Sequence, residues 1–317
     1  MSQRAAPQSD LVIGVDSGGT KTVAWIAPLD DPTGEIVLGR GVAGPGNPRA
    51  VGFDAAQRQI QLAITHAFDS AQQPPEMVAA AWFGVAGAGR ESEQQQLADW
   101  ARASGIADRV SVSGDAEPIL AAGSAEHTGI ALIAGTGSLA WGRNAAGQVA
   151  RTGGCGYLLG DEGSAYAIAM AALRAAMQSA DGRRPPTTLL PQLLEFFQAH
   201  SPANLIEILY SGEMTRDQIA SCTPIVFAAA DDDPAAATIL SQAAEDLAVM
   251  ITALAEKLGF EHTRYALAIT GGLLLHQDRF RQAVLDRLSA HPPGSVTLVT
   301  EPVRGAVALA RRLVASA

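Results

Sequence analysis

Cysteine is scarce in this 317-residue chain, which carries only Cys155 and Cys222. Two widely separated cysteines cannot build a disulfide framework or a cysteine-based metal site, so both kinds of scaffold are excluded. The stability must therefore come from a core, and 48% of the residues are hydrophobic. We expect a cytoplasmic protein, long enough for two ordinary domains or one large one.

Positive charge is also in short supply. The chain has 22 Lys and Arg against 32 Asp and Glu, which gives a formal net charge of −10. A general nucleic-acid binder uses Lys and Arg to neutralise phosphates, so the sequence predicts no nucleic-acid partner. A small anionic ligand is still compatible with this charge, because backbone amides and a metal ion can hold it.

Long hydrophobic runs are missing as well. No apolar stretch approaches the roughly 20 residues needed to span a bilayer, so we expect no membrane partner. Residues 1–10 lack the apolar segment of a signal peptide and are expected to form a short disordered tail.

Short apolar runs bounded by turn residues predict the strands of the first half. These runs are residues 11–16, 22–27, 35–39, 77–85 and 110–113. Apolar residues at helical spacing predict helices at residues 54–72 and near 91–104. The first half therefore has the order β-β-β-α-β-α-β.

The second half repeats this order with a helical insertion between residues 164 and 259. Its predicted strands are residues 128–134, 139–143, 149–152, 265–270 and 295–300. This is a repeat of topology and not of sequence, and two such units facing each other would enclose a cleft suited to ligands. We expect an N-terminal domain of residues 10–116 plus 301–317 and a C-terminal domain of residues 117–300.

The turn between the first two predicted strands combines a carboxylate with adjacent glycines and hydroxyl residues. Glycines let the backbone approach phosphate oxygens, and successive amides of a turn form an anion-binding nest. A Walker A loop is rejected, because Thr20 stands where that motif has Lys and a strand follows the turn. Asp16 is placed to act on a Mg²⁺ that bridges phosphates, directly or through water. The predicted phosphate-binding residues are Asp16, Gly18, Gly19, Thr20 and Lys21.

Two further glycine turns lie at corresponding places in the second half. Gly135, Thr136 and Gly137 follow a buried strand, but a hairpin and not the helix of a dinucleotide fingerprint comes next. Gly271 and Gly272 lie between a strand and a helix, where amides suit a nucleotide. Each turn by itself is compatible with a structural role. Three of them in a repeated topology predict an ATP site.

These turns resemble the phosphate-1, phosphate-2 and adenosine motifs of the actin-like ATPase superfamily, which includes sugar kinases and actin. Within it, Asp115 at a strand end, Ala134-Gly-Thr-Gly-Ser138 and Gly153-Gly-Cys-Gly-Tyr-Leu-Leu-Gly-Asp-Glu-Gly-Ser164 resemble the N-acetylglucosamine kinase group of the BadF/BadG/BcrA/BcrD ATPase family. The resemblance implies an α/β protein with a duplicated actin-like (ribonuclease H-like) ATPase fold, two domains and a central cleft. It also implies ATP and Mg²⁺ as cofactors.

The resemblance implies roles for several side chains. A sugar kinase needs a base at the reacting hydroxyl, and Asp115 matches the aspartate taken to deprotonate the C6 hydroxyl. Asp161 matches an aspartate that accepts hydrogen bonds from ring hydroxyls, and Asn47 matches an asparagine that binds the sugar. The loop facing the 2-acetamido group corresponds to Gly154, Cys155 and Gly156.

Each of these side chains has an alternative, local interpretation. Asp115 and Asp161 precede helices and would serve equally as helix caps. Asn47 stands before Pro48 and is also typical of a turn. Cys155 stands where family members often carry Trp, so the pocket wall differs from theirs. The resemblance therefore supports an amino sugar as substrate more strongly than it supports N-acetylglucosamine itself.

Two sister groups fit the sequence less well. Kinases of the ROK type usually carry a cysteine-rich zinc motif and an E-x-G-H segment, and neither is present. Activators of acyl-CoA dehydratases hold an iron–sulfur cluster that two separated cysteines cannot ligate. The sequence thus predicts transfer of the ATP γ-phosphate to the C6 hydroxyl of N-acetylglucosamine by a homodimer. The alternatives are glucosamine or another hexose or muramyl-type sugar, and a nucleotide-dependent sugar sensor without turnover.

Overall fold

The computed structural model describes residues 9–31, 33–260 and 263–315. Residues 1–8 of the predicted tail lie outside this part of the chain. The protein divides into two compact units: unit 1 is Met1–Ala131 with Val299–Ala317, and unit 2 is Leu132–Leu298. The domain bounds expected from the sequence, and a cleft between the halves, stay predictions.

Strands and helices alternate in both halves of the described chain. The strands are β1 Leu11–Ser17, β2 Thr22–Pro28, β3 Gly39–Ala43, β4 Val78–Val85, β5 Ala107–Ser113, β6 Gly129–Ala134, β7 Ser138–Arg143, β8 Val149–Gly153, β9 Ala266–Thr270 and β10 Ser295–Leu298. The helices are α1 Pro48–Val51, α2 Phe53–Ser70, α3 Glu91–Ala103, α4 Ala116–Gly123, α5 Ala165–Ala180, α6 Leu189–Phe196, α7 Pro202–Tyr210, α8 Arg216–Ala220, α9 Thr223–Ala229, α10 Pro234–Lys257, α11 Gly272–His276, α12 Asp278–Asp286 and α13 Val303–Ala315.

The two sheets have the same topology. One has the order β3-β2-β1-β4-β5, and the other, β10-β9-β6-β7-β8, gives the corresponding order when it is read from its far edge. In the first sheet β1 pairs antiparallel with β2 and parallel with β4, and in the second β7 pairs antiparallel with β8 while β9 pairs parallel with β10. Parallel pairs require crossover connections, which the intervening helices supply. The predicted α/β class and the topological repeat are confirmed.

β1 is the central strand of unit 1, and both of its faces are covered. Val12, Ile13 and Val15 are at most 1% exposed, which explains the nearly continuous apolar run in the sequence. Ile13 and Val15 pack in one core cluster with Phe83, whereas Val12 packs in another with Val307 of α13. The C-terminal helix therefore completes the core of the N-terminal sheet.

The position predicted for the third strand was wrong. Residues 35–39 were expected to form it, whereas β3 is Gly39–Ala43. A Cβ on Gly39 would overlap the carbonyl oxygen of Ala67, and a Cβ on Gly41 would overlap that of Ala63, both in α2. Glycine is required at both positions because a helix backbone lies directly against the strand.

The helical insertion of the second half is confirmed as α5 to α10. By length and composition alone, the 24-residue α10 could cross a membrane, and it is the single such helix in the described ranges. No such segment was expected from the sequence. Leu247, Ile251 and Leu254 of α10 are buried, and the helix packs on α5, β7 and β8. Core helices pass the same test of length and composition, so α10 is weak support for a membrane span.

Candidate functional site

The first predicted phosphate turn joins β1 to β2. The Gly18 amide donates to the Lys21 carbonyl at 2.9 Å, and the Gly18 carbonyl accepts from the Gly46 amide at 3.0 Å. Gly19, Thr20 and Lys21 are exposed. A strand follows the turn, as the rejection of a Walker A loop requires.

Asp16 and Asp115 form an interacting pair of carboxyl groups in unit 1. Burial raises the pKa of Asp16 from its usual 3.8 to about 7; the charge of Asp115 adds to this rise and Lys21 opposes it. Burial also raises the pKa of Asp115, against hydrogen bonds from the backbone amides of Asp115 and Ala116 that lower it. Two neighbouring carboxyl groups that are costly to charge are typical of sites that hold a cation or move a proton.

The same pair suits the Mg²⁺ that the family resemblance implies. Carboxylate oxygens are the ligands that Mg²⁺ prefers, and a cation beside Asp16 would offset both causes that raise its pKa. Within residues 9–31, 33–260 and 263–315, no group of three His, Cys, Asp or Glu side chains could hold a metal ion. The remaining ligands would come from nucleotide phosphates and water, as is usual for Mg²⁺.

The Asp115 side chain does not cap α4. Asp115 precedes α4 with helical backbone angles, φ −63° and ψ −23°, and its side chain makes no capping hydrogen bond. A capping residue normally has extended backbone. The hydrogen bonds from the amides of Asp115 and Ala116 nevertheless hold this carboxyl group at the start of α4.

Asn47 does have the local role. It is the N-cap of α1, and its Oδ1 accepts a hydrogen bond from the Arg49 amide at 3.0 Å. A Cβ on Gly87, whose φ is +83°, would overlap that same oxygen. The side chain is thus held in one orientation between two loops, and its contact with a sugar stays a prediction.

The second predicted phosphate turn joins β6 to β7 in unit 2. The Gly135 amide donates to the Gly137 carbonyl at 3.0 Å, and the Gly135 carbonyl accepts from the Ala165 amide at 2.9 Å. Thr136 Oγ1 donates to Asp217 Oδ1 at 2.6 Å. A strand follows the turn, so the mismatch with the dinucleotide fingerprint is confirmed.

Asp161 lies buried beside this turn, with a backbone φ of +63° that is rare outside glycine. Its Oδ1 accepts from the Ser138 amide at 3.3 Å, and its Oδ2 accepts from Arg216 Nη2 at 2.9 Å. The cap interpretation is wrong, because Ser164 is the N-cap of α5. A Cβ on Gly137 would lie 2.8 Å from Asp161 Oδ1. The phosphate turn and the predicted sugar-binding carboxylate are thus in direct contact.

The loop of residues 154–156, which is predicted to face the acetamido group, is hydrogen-bonded to the start of β7. The Gly154 amide donates to the Ser138 carbonyl at 3.1 Å. Gly153, Gly154 and Gly156 have φ of +69°, +66° and +79°, which only glycine adopts without strain. Cys155 between them is exposed.

The third predicted glycine turn, at Gly271 and Gly272, lies beside the second one in unit 2. Gly271 has φ +98°, and a Cβ there would overlap the backbone of Ala134 at the end of β6. Helix α11 begins at Gly272, so the predicted strand-glycine-helix junction is confirmed. Each of the three predicted nucleotide turns also has one glycine whose Cβ would meet nothing within 4 Å: Gly19, Gly135 and Gly272. The packing of the protein does not require glycine at these three positions, whereas close approach of a phosphate would.

A cavity of about 620 Å³ lies elsewhere in unit 2, between α5, α10 and the loop of residues 184–187. Of the described residues that line it, none is a predicted site residue. Ala, Ile and Pro make up about half of its lining, which also includes Asp233 and Asp246. The Asp233 carboxylate is already bonded to Thr187, Thr188 and the Ala235 amide.

Two residues that contact the candidate site were not predicted from the sequence. Arg216 and Asp217 begin α8, far along the chain from the turns, yet they contact Asp161 and Thr136. The sequence signal there is only a capping box, in which Thr215 and Gln218 cap α8. Nothing local to residues 215–218 indicates a partner 55 residues away.

The Asp16 pKa predicts how stability depends on pH in the metal-free protein. Because the folded-state pKa is raised, native stability is full below the unfolded pKa and falls as pH rises from about 4 to about 7. Asp16→Asn should remove this loss, so the variant should become more stable than the parent above pH 7 and equal to it near pH 4. Urea unfolding across that range measures the difference, with exposed Asp108→Asn in β5 as control. Parallel curves for parent and Asp16→Asn would contradict the buried-carboxyl interpretation.

The chain is similar to known proteins over most of its length. The model of the BadF/BadG/BcrA/BcrD ATPase family matches residues 13–310. The chain is 33% identical over 305 residues to the N-acetylmuramic acid/N-acetylglucosamine kinase of Clostridium acetobutylicum, covering 95% of this chain and 98% of that protein. It is 29% identical over 315 residues to the N-acetyl-D-glucosamine kinase of Dictyostelium discoideum, with the same two coverages. A crystal structure of a candidate N-acetylglucosamine kinase from Chromobacterium violaceum has the same fold, with TM-score 0.76 and 24% identity over 96% of this chain and 99% of that one. The chain belongs to the BadF/BadG/BcrA/BcrD ATPase family.

Proposed function

We propose that this chain is an ATP-dependent amino-sugar kinase that phosphorylates the C6 hydroxyl of N-acetylglucosamine. The two curated relatives are named as kinases of that sugar and match 95% of the chain. The structural observation that carries the proposal is the contact in unit 2 between the turn at Gly137 and the buried carboxylate of Asp161. This contact supports the proposal, because a turn suited to phosphate would then lie beside a group suited to sugar hydroxyls.

Asp115 is the proposed general base. Burial raises the pKa of this carboxyl group, which makes its carboxylate a stronger base than an exposed aspartate. It accepts the proton of the C6 hydroxyl while that oxygen bonds to the γ-phosphorus and ADP leaves.

The three glycine turns are the proposed nucleotide contacts. Amides around Gly19 and Gly135 would hold phosphate oxygens, and the amides at Gly272 would lie at the start of α11. Mg²⁺, when bound, neutralises charge on the phosphates, and Asp16 is the residue that would hold it. Lys21 and Thr20 are exposed beside the first turn and would complete the phosphate contacts.

Asp161 and Asn47 are the proposed sugar contacts, together with the loop of residues 154–156. The positive φ of Asp161 is a strained conformation held by its surroundings, which is common at functional sites. Cys155 is small and exposed, so the loop presents less surface than an aromatic residue would.

A sugar panel tests the proposal. ADP release is measured with MgATP and, in turn, N-acetylglucosamine, N-acetylmuramic acid, glucosamine and glucose. We expect N-acetylated sugars to give the highest kcat/KM, and ATP without sugar to give only slow hydrolysis, because water lacks the binding contacts of the sugar. Tight sugar binding without sugar phosphate would indicate a sensor instead of a kinase. Preference for glucosamine would keep the kinase and change the substrate.

We also place the reaction in the cytoplasm and propose a homodimer. Light scattering of the purified protein tests the dimer directly. A monomer with full activity would remove the dimer from the proposal and leave the kinase unaffected.

A further inference from the structure

The loop that carries Asn47 crosses the end of the first phosphate turn. This loop, residues 44–47, connects β3 to α1. The Gly46 amide donates to the Gly18 carbonyl at 3.0 Å, so the loop and the turn share a backbone hydrogen bond. Within unit 1, the proposed sugar loop and the proposed phosphate turn are therefore in direct contact.

Two buried hydroxyl groups lie beneath this crossing. Ser17 ends β1 and Thr22 begins β2, and the two residues face each other in the antiparallel register. Both are 0% exposed, and their side-chain oxygens are 3.1 Å apart. A Cβ on Gly46 would overlap both oxygens. The backbone of the loop thus lies directly on the hydroxyl pair.

The direction of these hydrogen bonds follows from counting protons. Thr22 Oγ1 donates to the Gly44 carbonyl at 2.9 Å. A hydroxyl group has one proton to donate, so Ser17 must be the donor to Thr22. The result is a chain from Ser17 through Thr22 to the loop, in which each bond strengthens the next. On its other side, the Gly44 amide donates to Gln59 Oε1 of α2 at 2.7 Å.

Filling the core does not by itself account for a hydroxyl group at Thr22. The other residues of β2 are apolar, and valine would fill a similar volume without a polar atom to desolvate. The Thr22 hydroxyl recovers its desolvation cost from Ser17 and from the Gly44 carbonyl, three residues before Asn47. Threonine at this position therefore fixes the loop.

We propose that Thr22 is a positioning residue whose hydroxyl group holds the loop of residues 44–47 on the phosphate turn, so that Asn47 is placed to bind the sugar. The inference rests on the proposed kinase function and deepens it. Thr22 acts on the sugar loop and not on the nucleotide, because the phosphate turn is closed by its own bond from the Gly18 amide to the Lys21 carbonyl.

The first test removes this hydroxyl group. Thr22→Val should raise KM for N-acetylglucosamine about 5- to 30-fold, because the loop is no longer fixed, and KM for ATP should stay within about threefold. Thr22→Ser keeps the hydroxyl group and should restore KM for the sugar to within about threefold of the parent. Thr65→Val removes a threonine bond to the Gln61 carbonyl in α2 and should change neither KM. ADP release over a range of both substrates measures these values.

A second variant releases the loop from its other side. Gln59→Met removes the acceptor of the Gly44 amide and should raise KM for the sugar in the same direction as Thr22→Val. Gln59→Glu keeps an acceptor at that position and should stay near the parent. Thermal unfolding shows which variants are folded, and the Gln59 pair carries the test if Thr22→Val is not.

A double-mutant cycle separates positioning from a general loss of stability. Asn47→Ala alone should raise KM for N-acetylglucosamine, because the proposed sugar contact is lost. Adding Thr22→Val to Asn47→Ala should raise it by no more than about twofold further, since the side chain that Thr22 positions is already absent. Multiplied effects of the two substitutions would mean that Thr22 does not act through Asn47, and the inference would be wrong.

Two other outcomes overturn the inference. An unchanged KM for the sugar in folded Thr22→Val would show that the hydroxyl group does not position the loop, and a rise in KM for ATP alone would assign Thr22 to the phosphate turn. Titration calorimetry with N-acetylglucosamine gives Kd for the same variants without turnover. A parent that binds the sugar but releases no ADP would refute the proposed kinase function, and Kd would then test the inference. A parent that binds no sugar would refute both.

Discussion

Replacing Asp115 with Asn is expected to lower kcat for N-acetylglucosamine phosphorylation by about 10²- to 10⁴-fold, the usual contribution of a general base. Asparagine keeps the shape of the side chain but cannot accept the hydroxyl proton. KM for ATP should change little, because Asp115 is not part of a glycine turn. Initial rates of ADP release over a range of both substrates measure the effect.

The stability of Asp115→Asn separates this interpretation from simple unfolding. Burial raises the pKa of Asp115, which means that the folded protein disfavours its charge. The neutral variant should therefore be at least as stable as the parent at pH 8, as thermal unfolding would reveal. Asp108→Asn, on the exposed side of β5, is the matched control and should keep full activity. Near-normal turnover in a folded Asp115→Asn protein would remove Asp115 from its catalytic role.

Replacing Gly271 with Ala is expected to destabilise the protein by about 2–5 kcal/mol. Alanine in the left-handed region costs about 1–2 kcal/mol, and forcing its methyl group into the backbone at Ala134 costs about 1–3 kcal/mol more. Tm should fall by about 3–8 °C for a chain of this size. Because Gly271 sets the direction of the turn into α11, KM for ATP should also rise about tenfold to a hundredfold.

Gly272→Ala is the matched control for stability. Its added methyl group would meet nothing within 4 Å, and alanine favours a helix over glycine, so Tm should stay the same or rise slightly. KM for ATP should nevertheless rise if the open space at Gly272 receives the nucleotide. A fall in Tm equal to that of Gly271→Ala would contradict the open space at Gly272. An unchanged KM for ATP would show that the nucleotide does not bind beside Gly272.

Much of the local structure could be predicted, because it depends on residues that are neighbours in the chain. The hairpin at residues 11–28 follows from two apolar runs around a Gly-Gly turn, and the end of β6 from an apolar run before Gly135. The same patterns rejected the Walker and dinucleotide motifs, since a strand follows each turn. The duplicated topology came from the order of such elements alone.

Other features depended on contacts that no local pattern records. The third strand was predicted at residues 35–39, whereas β3 is Gly39–Ala43. Its glycines at 39 and 41 are required because the backbone of α2 lies against the strand, a contact that the local sequence does not indicate. Asp161 was as compatible with capping as with binding until Ser164 was found at the N-cap. Arg216 lies 55 residues from Asp161, in an insertion whose sequence indicates only a short helix.

The sequence by itself determined that this is an α/β protein with a repeated topology and three glycine turns suited to phosphate, because backbone preferences and hydrophobic periodicity act over a few residues. Only the tertiary structure decided which carboxyl groups become chemically distinct. Asp16 and Asp115 are ordinary aspartates in the sequence. Folding brings them close to each other, and burial raises the pKa of both. Asp161 is an ordinary loop residue until the fold places Ser138 and Arg216 on its two oxygens. Desolvation and partner choice arise from packing between distant segments, and that is where the chemistry of this chain is set.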